Sequence, residues 1–97
     1  MKIEILMQDG INGDKEFIIP ASMPFRMYGF NFAAHKSAYT ENGHLKFIDK
    51  WKVSNIETRR VVVYGADRRK DALLAAKKKL KEVGRKEMKR IIKEFLN

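Results

Sequence analysis

The sequence predicts an α+β fold: an antiparallel sheet of four to five strands, made of two hairpins and covered on one face by two C-terminal helices. Two observations predict it. Runs that alternate apolar and polar residues fill the first two-thirds of the 97 residues, and runs with helical spacing fill only the last third. Clusters of glycine, proline, asparagine and aspartate fall between the runs, where turns are needed. A chain of this length makes one domain, residues 1–97, and no internal repeat or low-complexity linker divides it.

Residues 2–7 (KIEILM) alternate and are rich in β-formers. The stretch Asp9 to Asp14 supplies turn residues, and residues 15–19 (KEFII) return as a strand that Pro20 ends. This is the first hairpin, with a six-residue connection. Pro20, Pro24 and Gly29 punctuate residues 20–29 as a loop. Residues 30–36 (FNFAAHK) fit a strand or a short helix, and the Phe30, Phe32, Ala34 alternation favours the strand.

After a turn at 40–44 (TENGH), Leu45, Phe47, Trp51 and Val53 fall on one strand face, with Asp49 as the one break. Lys46, Lys50 and Lys52 fall on the other, so one sheet face is wet and the other covered. A turn at 55–58 leads to a returning strand, Arg60 to Tyr64, which completes the second hairpin.

Asp67 is placed to cap a helix, because its carboxylate can accept from the free N–H groups of the first turn. At about 100° per residue, Ala72, Leu73, Ala76, Leu80 and Val83 form one stripe. Lys70, Lys77, Lys78 and Lys81 lie opposite, with Leu74 among them; Leu74 either packs on the next helix or sits in an interface. Gly84 is a stop, and a second helix runs from Arg85 with Met88, Ile91, Ile92, Phe95 and Leu96 on one side.

Charge is the strongest global signal. Residues 1–64 carry a net +2 and residues 65–97 a net +7, together the chain's +9. Such a lopsided field attracts polyanions: nucleic acid, an anionic membrane surface or an acidic protein. The competing explanation is a merely solvated face. Cysteine is absent, which removes disulfides, thiolate metal sites and cysteine nucleophiles together. Apolar runs are too short to span a membrane, and no signal peptide is readable, so a cytoplasmic location is expected.

Enzyme chemistry finds little support. The histidines, His35 and His44, have no partner at the i, i+4 spacing of a hydrolytic zinc site. Ser22, Ser37 and Ser54 lack elbow glycines. The stretch DGINGD does not have calcium-loop spacing. No catalytic group, metal or cofactor is therefore expected. Gly65 ahead of a helix hints at an anion site, but Asp67 would repel phosphate there.

Binding has more parts. Arg68, Arg69 and Lys70 open a helix whose dipole they oppose, and Asp67 and Asp71 can compensate them. Lys77, Lys78 and Lys79 are consecutive and cannot share a face, and Lys79 falls at the edge of the apolar stripe, where its stem can cover core. Lys70, Lys77 and Lys81 make the coherent row for phosphates. Lys46, Lys50, Lys52, Arg59 and Arg60 add a second basic surface. Phe47 and Trp51 either stack on unpaired bases or form core under the helices.

Gly43-His44, Phe47, Val61 to Val63, Gly65 and the basic opening Arg69-Lys70-Asp71-Ala72-Leu73-Leu74-Ala75-Ala76 stand in one order. Over residues 39–80 this order resembles the second half of a double-stranded-RNA-binding domain. The resemblance implies that Arg69 and Lys70 meet phosphates across a major groove and that the His44 turn enters a minor groove. The run Trp51-x-Val53-Ser54, Thr58, Gly65, Ala72 is also similar in style to small bacteriophage proteins.

The expected function is a small basic, non-enzymatic nucleic-acid-binding protein. It would hold RNA or DNA mainly by phosphate contacts from Arg68, Arg69, Lys70, Lys77 and Lys81, helped by Arg59 and Arg60. The alternative is a protein-interaction or inhibitor module, of the kind a phage encodes, that docks on an acidic host protein or pairs through an edge strand.

Overall fold

A computed structural model describes residues 2–9 and 13–96, with side chains described over 19–39 and 41–96. The order of elements is β1 (Lys2–Asp9), β2 (Gly13–Met27), β3 (Phe30–Glu41), β4 (His44–Asn55), β5 (Val61–Ala66), α1 (Arg69–Val83) and α2 (Arg85–Leu96). The strands form an antiparallel meander in the order β1-β2-β3-β4-β5. The first half of β2, to Pro20, pairs with β1, and the second half, from Ala21, pairs with β3. A four-stranded sheet of β2 to β5 thus continues into a two-stranded ribbon. Residues 10–12 of the expected first turn lie outside the described residues.

The α+β expectation stands, and two of its details change. Residues 20–29 are strand and tight turn, not loop. Pro24 sits in a bulge between the Ser22↔Ala34 and Phe25↔Phe32 pairs, at the border of the four-stranded sheet, where a missing N–H removes no ladder bond. Tyr28-Gly29 and Asn42-Gly43 then make the β2–β3 and β3–β4 turns with φ values of 58°, 84°, 52° and 79°. Positive φ at both central residues matches the twist of two-residue hairpins, and glycine takes it without steric cost. Tyr28 is an unusual occupant of that region. Its hydroxyl donates to the Leu80 carbonyl at 3.2 Å, so a tertiary contact holds it there.

The second change concerns the helix start. Arg68, in extended backbone, is the N-cap of α1, and no side chain caps it. Asp67 instead pairs with Lys50 of β4, whose ammonium holds the carboxyl below its usual range. An ion pair with a strand replaces the local hydrogen bond.

The core lies between the sheet and the helices. Ala72, Leu73, Ala76 and Leu80 of α1 close on Phe32, Ala34 and Val53, and Met88 and Ile92 of α2 join them. Alanines at 72 and 76 let the helix approach the strands closely. Phe25 stacks on Phe32 with centroids 5.2 Å apart. Phe95 and Leu96 of α2 stay half-exposed, and Leu74 is 58% exposed. Among the described residues, no helix is long and apolar enough to cross a membrane.

His35 and Ser54 alternate with the helix-covered Ala34 and Val53 and so point to the other side of the sheet, where both are buried. The His35 Nδ1 lies 3.0 Å from the Lys36 carbonyl, which can only accept. Nδ1 therefore carries the proton, and Nε2 accepts from the Ser54 hydroxyl at 2.8 Å. Burial pushes the imidazole pKa down, the Lys36 carbonyl opposes this, and the Lys52 charge adds to the lowering. The unfolded chain takes up this proton near pH 6.5, about the ordinary histidine value, and the folded chain only at lower pH. Between those two points the unfolded state binds more protons, so stability falls as pH drops. Urea midpoints are expected to be lower at pH 5.5 than at pH 7.5, and His35→Gln should flatten that difference. A midpoint that does not fall over this interval would contradict the assignment.

Candidate nucleic-acid interface

The buried stripe of α1 decides where its cations go. Once Ala72, Leu73, Ala76 and Leu80 face the sheet, Lys70, Lys77 and Lys81 share one flank at about 100° per residue. That flank overlooks β2. The Arg69 guanidinium donates to the Ser22 hydroxyl at 3.0 Å and lies 5.6 Å from the Trp51 ring. The Lys77 ammonium lies 5.2 Å from the Phe25 ring. At the far end the Arg85 guanidinium lies 5.8 Å from the Tyr28 ring. Three cations thus stand over three aromatic rings: Arg69 and Lys77 from α1, about 12 Å apart in helical rise, and Arg85 from the start of α2.

This row stays free of acids. Asp71 and Glu82 fall on the next face of α1 at the same angular spacing. Among the described residues, Arg68, Arg69, Lys70, Lys77, Lys81 and Arg85 make no ion pair with a carboxylate. The ion pairs of the C-terminal third are elsewhere: Lys50 with Asp67, and Arg90 with Glu87 and Glu94. Each ring contact stabilises its cation's position by about 0.5–1 kcal/mol at an exposed site, which orients the charge without neutralising it.

Other residues expected to join this surface lie apart from it. Arg60 sits over the Phe95 ring of α2 at 3.9 Å. That is the opposite flank, where Lys79 donates to the Val62 carbonyl of β5. The lysine thus ties the helix to the edge strand. Arg59 adopts a left-handed φ of 62° in the same connection. His44 is exposed and follows the Asn42-Gly43 turn at the tip of the β3–β4 hairpin, and among the described side chains none of 37–48 enters the helix-covered core. Arg68 is exposed at the start of α1, as its N-cap.

The Arg69 end of the row opens on a cleft of about 290 Å³ lined by Pro20, Ala21, Ser22, Lys36, Phe47 and Trp51. A bulge explains its aromatic floor. Two extra residues of β4, Asp49 and Lys50, stand between the Lys36↔Trp51 and Ser37↔Ile48 pairs. An insertion of two preserves the alternation, so Phe47 and Trp51 remain on one face, and the break at Asp49 is the bulge itself. Trp51 is half-buried against the core, whereas Phe47 is 48% exposed. Lys36 lies 5.8 Å from the Trp51 ring, with Asp49 3.9 Å from its ammonium, and Arg69 lies 5.6 Å from the same ring.

Ser22, Phe25, Tyr28, Lys36 and Arg85 belong to this surface and have no local signal for it. Their grouping depends on β2 lying under the flank of a helix some fifty residues later. The segment 39–80, where the sequence order suggests half of a double-stranded-RNA-binding domain, covers the end of β3, all of β4 and β5 and most of α1. Two further strands precede it and no helix does, among the described residues. Comparison with family models, curated proteins and solved structures gave no match to this chain.

Proposed function

We propose that this chain is a non-enzymatic nucleic-acid-binding domain that holds the phosphate backbone along the β2-side flank of α1. The observation that carries this reading is the row Arg69, Lys70, Lys77 and Lys81, continued by Arg85 and preceded in the chain by Arg68, none of which makes an ion pair with a carboxylate among the described residues. Cations braced on rings and a strand hydroxyl are partly ordered before a ligand arrives, so less side-chain entropy is lost on contact. Arg59 and Arg60, on the opposite flank, add to the general field that draws a polyanion in. Contacts to phosphate carry no sequence information, so binding is indifferent to base order.

Titration with duplex RNA, duplex DNA and single strands at physiological salt tests this. Log affinity should fall linearly with log salt, and the triple variant K70A/K77A/K81A should lower that slope by about three for duplexes and about two for single strands, whatever the base sequence. If no nucleic acid binds more tightly than about 100 μM, the weak end of non-specific affinity, the result favours the alternative, docking on an acidic protein partner.

A further inference from the structure

Resting on that reading, we infer that the cleft at the Arg69 end of the row is a stacking site for an unpaired base, so that the ligand is single-stranded nucleic acid. A phosphate surface needs only cations. This one ends in a concavity whose floor is aromatic, with Phe47 48% exposed and Trp51 on the same strand face. Exposed rings that face a cleft present π-surface to a flat ligand, and every base has a matching face.

The rim carries the complementary charge. Arg69 from the helix and Lys36 from β3 lie 5.6 and 5.8 Å from the centroid of the Trp51 ring. Asp49 offsets Lys36 in part, at 3.9 Å, while Arg69, held by the Ser22 hydroxyl and the ring, pairs with no carboxylate among the described residues. A strand whose phosphates follow Arg69, Lys70 and Lys77 therefore delivers its terminal base to the cleft. The volume, about 290 Å³, sits at the small end of ligand pockets, which suits one base and excludes a base pair held in a duplex.

Trp51 is the chain's one tryptophan, so its fluorescence reports on the cleft directly. The test compares a short oligothymidylate, the matching oligouridylate, an abasic oligomer of the same length and a blunt duplex at one salt concentration. The two base-bearing single strands should quench Trp51 and bind about 5- to 150-fold more tightly than the abasic oligomer, the range for one stacked base. A gap between thymidylate and uridylate would show whether the strand is DNA or RNA. Phe47→Ala should shrink the base-bearing to abasic ratio toward one, and Phe47→Tyr should restore it. Equal affinity for base-bearing and abasic strands, with Trp51 unchanged, overturns the stacking site and leaves the phosphate row intact. Absence of binding to all four ligands overturns both.

Discussion

Replacing Phe32 with alanine is expected to cost about 3–5 kcal/mol, the usual range for deleting a buried phenyl ring. Phe32 is 0% exposed, lies among Ala34, Val53, Ala72 and Ala76, and stacks on Phe25 at 16° between ring planes. Its neighbours on α1 include two alanines, which have no side-chain atoms able to swing into the space. The cavity therefore stays open. A domain with about 5–15 kcal/mol of total stability would lose about a fifth of it or more. Guanidinium denaturation should show the loss as a lower midpoint with an unchanged slope. The same ring supports Phe25, which lies under Lys77, so the variant should also weaken the basic row at temperatures where it remains folded. A loss below about 1.5 kcal/mol would mean that the core refills or that the ring does not sit there.

Asn55→Ala is expected to cost about 2–4 kcal/mol, from groups left without partners rather than from volume. Asn55 is 2% exposed and uses its whole amide. The NH₂ donates to the Asn31 carbonyl at 3.1 Å and to the Glu57 carboxylate at 3.0 Å. The oxygen accepts from the Thr58 N–H at 2.9 Å and the Thr58 hydroxyl at 2.8 Å. Glu57 in turn accepts from the Asn31 backbone and side chain, so the network fixes the β4–β5 connection to β3. Alanine removes four bonds and orphans the Thr58 N–H. Thermal denaturation, with hydrogen exchange of the Thr58 and Arg59 amides, should show both the global loss and a loosened connection. Full retention of amide protection would mean that the backbone bonds from Asn55 to Arg60 and from Arg59 to Asn55 are sufficient alone.

Strands and helices were legible because their signals are local. Alternation marks a half-covered strand, and a 100° stripe marks a helix on a core. The errors came where a residue's local meaning was overruled from a distance. Pro20, Pro24 and Gly29 signal a loop, yet β2 runs through the prolines because its pairing changes from β1 to β3 between them and a bulge absorbs Pro24. Asp67 has every local property of an N-cap, and Lys50, 17 residues earlier, captures it. Phe47 and Trp51 read alike from the sequence. The structure separates them, because α1 covers the end of the sheet where Trp51 lies and stops short of Phe47.

The sequence by itself determined the α+β class, the concentration of positive charge in the last third, and which lysines share a side of α1, since helical geometry fixes angular position residue by residue. It had no means of stating which strand that side would face. Tertiary structure decided that Arg69, Lys77 and Arg85 stand over Trp51, Phe25 and Tyr28, and that Arg60 and His44 lie elsewhere. The reason is that a helix settles on a sheet by burying its whole apolar stripe at once. The flank contacts follow from that collective packing of Ala72, Leu73, Ala76 and Leu80 on Phe32, Ala34 and Val53, not from any preference of the cations themselves.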